Sequence, residues 1–195
     1  MTMVMQSLRQ DHANMALLLQ ALERQLERLR EGGTADFDIV RASLDYCLEF
    51  PEQAHHPKEN LLLQALRRRN PAAARAVGGL EDEHRALNAL THRFSDLIDE
   101  VLREHEIARD LVVRAWDDFI ESYHRHMARE ERTLFVEARR WLTDEDWLVL
   151  GDDLVQQADP VFGAAVERRF RALRADIEDA EEELRALEEG VPGGG

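Results

Sequence analysis

The sequence predicts an all-α protein. Three observations carry this: composition, periodicity and a repeated pair of histidine motifs. Apolar residues fill 44% of 195 positions and charged residues 33%, while only 10 Gly and 5 Pro interrupt the chain. Leu, Ala, Glu and Arg dominate, and these favour helix over sheet. Apolar residues then recur at steps of three and four almost throughout, the spacing of one helix face.

The first helix is carried by Leu8, Met15, Leu19, Leu22, Leu26 and Leu29, and the stretch EGGTAD (31–36) ends it. A second begins near Asp36, with Phe37, Val40, Leu44, Cys47 and Leu48 on one side. Pro51 and Pro57 follow. Each removes a donor and crowds the preceding turn, which predicts a kink or break before the helix continues through Arg69. Residues 70–79 read as a connector with one helical turn. The third helix is predicted from Leu80 to His105 on Leu87, Leu90, Phe94, Leu97, Ile98 and Val101. The fourth runs from Ala108 to Leu142 on Trp116, Phe119, Ile120, Tyr123, Met127, Leu134 and Phe135. Thr143, with acids after it, suits the N-cap of a short helix to about Gln157.

From Pro160 onward Val166, Phe170, Leu173, Ile177, Ala180, Leu184 and Leu187 form a heptad seam bordered by charge. Such a helix either packs along its own bundle or pairs with a second subunit, so residues 160–189 are a candidate homodimer seam. The expected organisation is a bundle over 1–142, a helical extension over 143–190 and a flexible tail at 191–195.

Net charge is −15, from 25 basic and 40 acidic residues. That surface repels phosphate backbones and anionic lipid, which argues against nucleic-acid and membrane partners. The single Cys47 excludes an internal disulfide framework and suits a reducing compartment. Without a signal pattern or an apolar run of membrane-spanning length, a cytoplasmic location is expected.

The chemistry lies in a duplication. LRQDHANM (8–15) parallels LEDEHRAL (80–87), and HHPKENLLL from 55 parallels HMAREERTL from 126. The first histidine precedes the second by 43 residues in one half, His12 to His55, and by 42 in the other, His84 to His126. Residues four apart share a helix face, so His55 with Glu59 and His126 with Glu130 project together. His12 and His84 sit on the apolar stripes of their own helices. Folding therefore turns four imidazoles and two carboxylates into one interior. Unpartnered buried carboxylates cost several kcal/mol each, and a metal removes that difficulty. Nitrogen with carboxylate oxygen suits iron or manganese, with zinc less favoured. Paired inward His and Glu in a bundle can hold two metals bridged by carboxylates. The duplication implies a pseudo-twofold centre, each metal taking two histidines, both glutamates and a solvent oxygen, with room for a small ligand.

Other histidines sort by angle. His124 points away from His126, His105 lies far along its helix, and His92 falls off the stripe. His56, three before Glu59, could replace or supplement His55; the repeat aligns His55 with His126 and favours His55.

These motifs together resemble the hemerythrin-like (HHE cation-binding) family over roughly residues 5–140. The resemblance implies an up-down four-helix bundle, in which the prolines would kink the second helix, around a non-haem centre of two iron ions (Fe2+/Fe3+) that binds O2 or NO. His12, His55, His84 and His126 would be terminal ligands, with Glu59 and Glu130 bridging. Oxygen carriers of the family place a further histidine where this chain has Asn88, and often set the last carboxylate at the position of Glu131. With Asn88, one iron is expected to keep an open position. That shifts weight toward sensing, peroxide or NO chemistry, or iron handling. Alternatives are a di-iron enzyme (peroxidase, oxidase, iron–sulfur repair or iron donation) and an interaction module acting through the acidic heptad helix. Nothing in the sequence defines a substrate pocket.

Overall fold

The computed structural model describes residues 2–152, 159–164 and 166–189, with side chains as far as 182. Every regular element among these is helical: α1 (Met3–Arg30), α2 (Phe37–Phe50), a π-helical turn (Pro51–His55), α3 (His56–Arg69), α4 (Pro71–Val77), α5 (Leu80–Leu102), α6 (Arg109–Arg132), α7 (Leu134–Trp141), α8 (Asp144–Asp152), a 3-10 turn (Arg168–Phe170) and α9 (Arg171–Glu189). None is long and apolar enough to cross a membrane.

Local chemistry sets the ends. The Asp36 carboxylate accepts from the Asp38 and Ile39 amides to start α2, and Asn70 does the same for α4. Thr143 and Asp146 bond reciprocally, side chain to backbone, in a capping box that opens α8. The Gly33 amide bonds the Arg28 carbonyl and the Gly32 amide that of Leu29, with Gly32 at φ 90° in the left-handed region. This is a Schellman ending for α1.

Four boundaries differ from the sequence expectation. The kink at the prolines is a π turn, closed by the His56 amide on the Pro51 carbonyl. The 70–79 connector holds a seven-residue helix rather than one turn. The third helix stops at Leu102, because Glu104 turns to φ 60°. The fourth breaks at Thr133, whose hydroxyl and amide both bond the Arg129 carbonyl. That back-bonding competes with the regular ladder and bends the chain. The short helix after Thr143 is described to Asp152, and its expected end at Gln157 lies outside the described residues, as does the 191–195 tail.

The long helices form a ring of contacts, α1 with α2, α2 with α5, α5 with α6 and α6 with α1. α9 lies against α1 and α2. Phe170, Leu173 and Ile177 are fully buried there, in the apolar cluster that includes Leu22, Val40 and Tyr46. Asp159 accepts from Tyr46 Oη (3.0 Å) and Asn14 Nδ2 (3.1 Å), and Arg24 pairs with Asp176 at 2.7 Å. The described part of the heptad seam thus faces its own chain; the Leu184 and Leu187 side chains lie outside the described residues.

Two apolar clusters make up the interior. One gathers the C-terminal part of α1 with α2, α5, α6 and α9. The other joins the start of α1 to α3, α4, α7 and Leu150. Between them lies a polar layer.

Candidate metal centre

Each histidine of the layer sits at the junction of the two apolar clusters. On α1 His12 falls between Leu8 in one and Met15 in the other; on α5 His84 falls between Leu80 and Leu87. His126 and Glu130 lie between Tyr123 and Leu134, and His55, His56 and Glu59 between Ala54 and Leu62. Helical spacing that runs apolar, polar, apolar at one level on every strut leaves these groups buried, the imidazoles 1–8% exposed and the carboxylates 0–1%.

Glu59 is 0% exposed and Glu130 1%. His12 Nε2 stands 3.2 Å from Glu130 Oε2, and His84 Nε2 stands 3.2 Å from Glu59 Oε2 and 3.1 Å from Glu130 Oε1. His126 Nε2 lies 3.0 Å from Glu130 Oε1, and His55 Nε2 lies 3.6 Å from Glu59 Oε1. Among the described residues neither Glu59 oxygen has a hydrogen bond, nor do Glu130 Oε2 and both His126 nitrogens. These atoms crowd one another without aligning as donor and acceptor.

The donors form two groups, each with its ligand atoms within 4.8 Å of one another: His12, His55, Glu59 and Glu130, and His56, His84 and His126. In the first, His12 Nε2 faces His55 Nε2 at 3.2 Å. Their Nδ1 atoms lie 3.0 Å from carboxylate oxygens, of Glu131 for His12 and of Asp11 for His55. A carboxylate accepts, so each Nδ1 carries the proton and two Nε2 lone pairs meet. A proton or a cation between them is required. In the second group the His56 and His84 rings stack, centroids 3.7 Å apart and 9° from parallel, with His126 edge-on.

Charge in this layer is set by burial and by near neighbours. Burial, reinforced by the Glu130 charge, raises the Glu59 carboxyl. Burial also opposes ionisation of Glu130, yet the His12, His126 and His84 imidazoles beside it outweigh burial and hold that carboxyl well below its usual range. Two carboxylates sharing a dry site divide in this way. Burial and the nearby His84 push the His56 imidazole down to about 2, keeping it in the neutral form that binds metals. For His84 burial is outweighed by Glu130 and Glu59, which raise it to about 9.

All six primary candidates from the sequence, His12, His55, Glu59, His84, His126 and Glu130, converge. His56 is not an alternative to His55; the two enter different groups. Successive helical positions diverge by about 100°, but the wider π turn lets both imidazoles point inward. The centre is accordingly less symmetric than two histidines per metal: one group holds three imidazoles, the other two with both carboxylates. Asn88 joins neither group and instead donates to Glu52 Oε1. Glu131 belongs to neither group and holds His12 by Nδ1 from a half-exposed position. His92, His105 and His124 are exposed, as their angles imply.

Sequence reasoning overlooked the carboxylates behind the imidazoles. Asp11 serves His55, Glu83 Oε2 stands 3.5 Å from His126 Nδ1, and Glu52 Oε1 stands 3.4 Å from His56 Nδ1. The signal was present in the duplication, where an acid precedes the first histidine in both halves. Such partners orient a ligand ring and raise its basicity.

A family model described as the hemerythrin HHE cation binding domain matches residues 3–139. No curated protein and no solved structure matches the chain.

Proposed function

The chain belongs to the hemerythrin HHE cation binding domain family, and from that premise we propose that it is a non-haem di-iron protein that binds or senses O2, NO or peroxide. His12, His55, Glu59 and Glu130 would hold one iron and His56, His84 and His126 the other, with both carboxylates also close to His84 Nε2. The ring of contacts among α1, α2, α5 and α6 supports an up-down four-helix bundle over residues 1–142, kinked at Pro51, with 143–190 as a separate extension whose described helices α8 and α9 pack on the bundle. Imidazole and carboxylate donors without a thiolate suit iron first, then manganese or zinc. A lone buried thiol at Cys47 fits a reducing, cytoplasmic setting.

One observation carries the reading: the 3.2 Å approach of His12 Nε2 to His55 Nε2 beside a Glu59 whose two oxygens have no hydrogen-bond partner among the described residues. Two iron ions would supply redox chemistry and an attachment point for a diatomic ligand. The chain's own part is to orient the imidazoles through Nδ1 and to keep water out with apolar layers on both sides. Phe135, stacked on His12 with centroids 5.2 Å apart, closes one of them.

Anaerobic titration with Fe2+ is expected to saturate at two ions per chain, and exposure to O2 to produce a near-ultraviolet charge-transfer absorption. Uptake of no iron, or of one ion without that absorption, contradicts the reading.

A second reading, turnover of a small substrate, is favoured by one feature. A groove of about 620 Å³ between α5 and α6 is lined by Leu87, Leu90, Arg93, Glu121, Arg125 and His126, among others. Stopped-flow assays with peroxide or NO distinguish it: multiple turnovers per centre support an enzyme, and a single stoichiometric event supports binding or sensing.

A further inference from the structure

Lysine occurs once in this chain, at position 58, against a background of arginine. Lys58 is only 6% exposed. Its ammonium donates to Asp11 Oδ2 at 2.7 Å and to Ser7 Oγ at 2.9 Å, and the same Asp11 oxygen lies 3.0 Å from His55 Nδ1. The Lys58 ammonium is a compact point charge on a flexible stem, unlike the planar fork of arginine.

The same chain of groups occurs in the other half. Aligning Glu59 with Glu130 sets Lys58 opposite Arg129, and aligning His12 with His84 sets Asp11 opposite Glu83. Arg129 Nη1 pairs closely with Glu83 Oε1, whose other oxygen stands 3.5 Å from His126 Nδ1. In each half the residue before the bridging glutamate is a cation. It binds the acid before the first histidine, and that acid faces the second. The Lys58–Asp11 pair is buried, whereas Arg129 and Glu83 are 33% and 39% exposed along their side chains.

We propose that Lys58–Asp11 and Arg129–Glu83 are duplicated positioning clamps, each fixing one metal-facing imidazole, His55 in the first group and His126 in the second. The inference rests on the di-metal reading for its consequence but not for its geometry. The cation pins the carboxylate; Asp11 accepts the hydrogen bond of His55 Nδ1–H at 3.0 Å, Glu83 faces His126 Nδ1 at 3.5 Å, and Nε2 is left as the inward atom. Burial makes the first clamp the stiffer; solvent screens the second.

The test pairs K58M with R129M. Co2+ titration of wild type is expected to show two equivalents. K58M should weaken one of them about ten- to hundredfold, the range for loss of an outer-shell partner. R129M should weaken the other by less. Arg129 also donates to the Val77 and Gly78 carbonyls. E83Q therefore separates the clamp from that anchoring and should reproduce the R129M effect. Nitrogen-15 shifts of the imidazoles in metal-free protein give a second readout, in which K58M moves His55 and R129M or E83Q moves His126. Equal weakening of both equivalents by either variant, or an unmoved pair of imidazole signals, overturns the proposal. A wild type that binds no Co2+ removes the di-metal reading, while the metal-free shifts still decide whether the clamps exist.

Discussion

His56 enters the centre because the backbone widens just before it. In a regular helix it would point about 100° away from His55; after the π turn it lies flat on His84. Asn88, at the position where the family's carriers place a histidine, bonds Glu52 instead. Glu52 Oε1 is also 3.4 Å from His56 Nδ1, so the asparagine supports the acid that faces the histidine. The two residues therefore have unequal weight. H56A is expected to abolish one of two metal equivalents in a Co2+ or Fe2+ titration and to leave the second tight. N88A should retain both, with affinity reduced no more than about tenfold, the lower end for an outer-shell partner. Both equivalents kept tight in H56A would return the site to the arrangement expected from spacing alone, in which His56 is no ligand, and loss of an equivalent in N88A would make the asparagine more than a support.

Helix ends show how much of the fold is legible before coordinates. The α1 ending is readable because Gly32 and Gly33 supply the left-handed turn in plain sight. The α5 ending has the same hydrogen bonds, from the His105 amide to the Glu100 carbonyl and from Glu104 to Val101, but its left-handed residue is Glu104 at φ 60°. A side chain there costs about 1–2 kcal/mol relative to the right-handed form, and no local pattern announces it. E104G is accordingly expected to stabilise the protein by up to about 1 kcal/mol, after the entropy a glycine adds to the unfolded chain. A midpoint shift at constant slope in urea denaturation would register it. A destabilised variant would mean that the Glu104 side chain makes a contact worth more than the backbone relief. The Thr133 break and the π turn escaped prediction for a related reason: both depend on competition for a few carbonyls, whereas periodicity reports which face is apolar. Six of the seven converging donors were legible as a set because they lie on those faces at repeated spacing. The carboxylates behind them depend on cross-helix reach, which spacing along one chain does not encode.

At the scale of the whole molecule, the polar layer is the seam between two apolar clusters. Hydrophobic burial holds each cluster together, but among the described residues the buried apolar side chains fall into two separate clusters, one on each side of the layer where His12, His55, His56, Glu59, His84, His126 and Glu130 meet. Metal-free, that seam consists of crowded imidazoles and two carboxylates whose charges oppose each other. A cation that draws on donors from α1, α3, α5 and α6 would join both clusters and remove the repulsion together. Binding linkage sets the size: at a hundredfold excess over Kd each site adds about 2.7 kcal/mol. For a chain of this length 1 kcal/mol moves Tm by about 2–4 °C, so two filled sites should raise Tm by roughly 10–20 °C. Calorimetry of protein stripped by a chelator and then reloaded anaerobically with Fe2+ measures this directly. The reloaded sample is expected to melt later in one cooperative transition, and renewed chelation to reverse the shift. The H56A variant, with one site left, should recover about half of it. A Tm indifferent to metal would mean that the layer is stable as a proton-shared network, and the donors would then be structural rather than metal-holding.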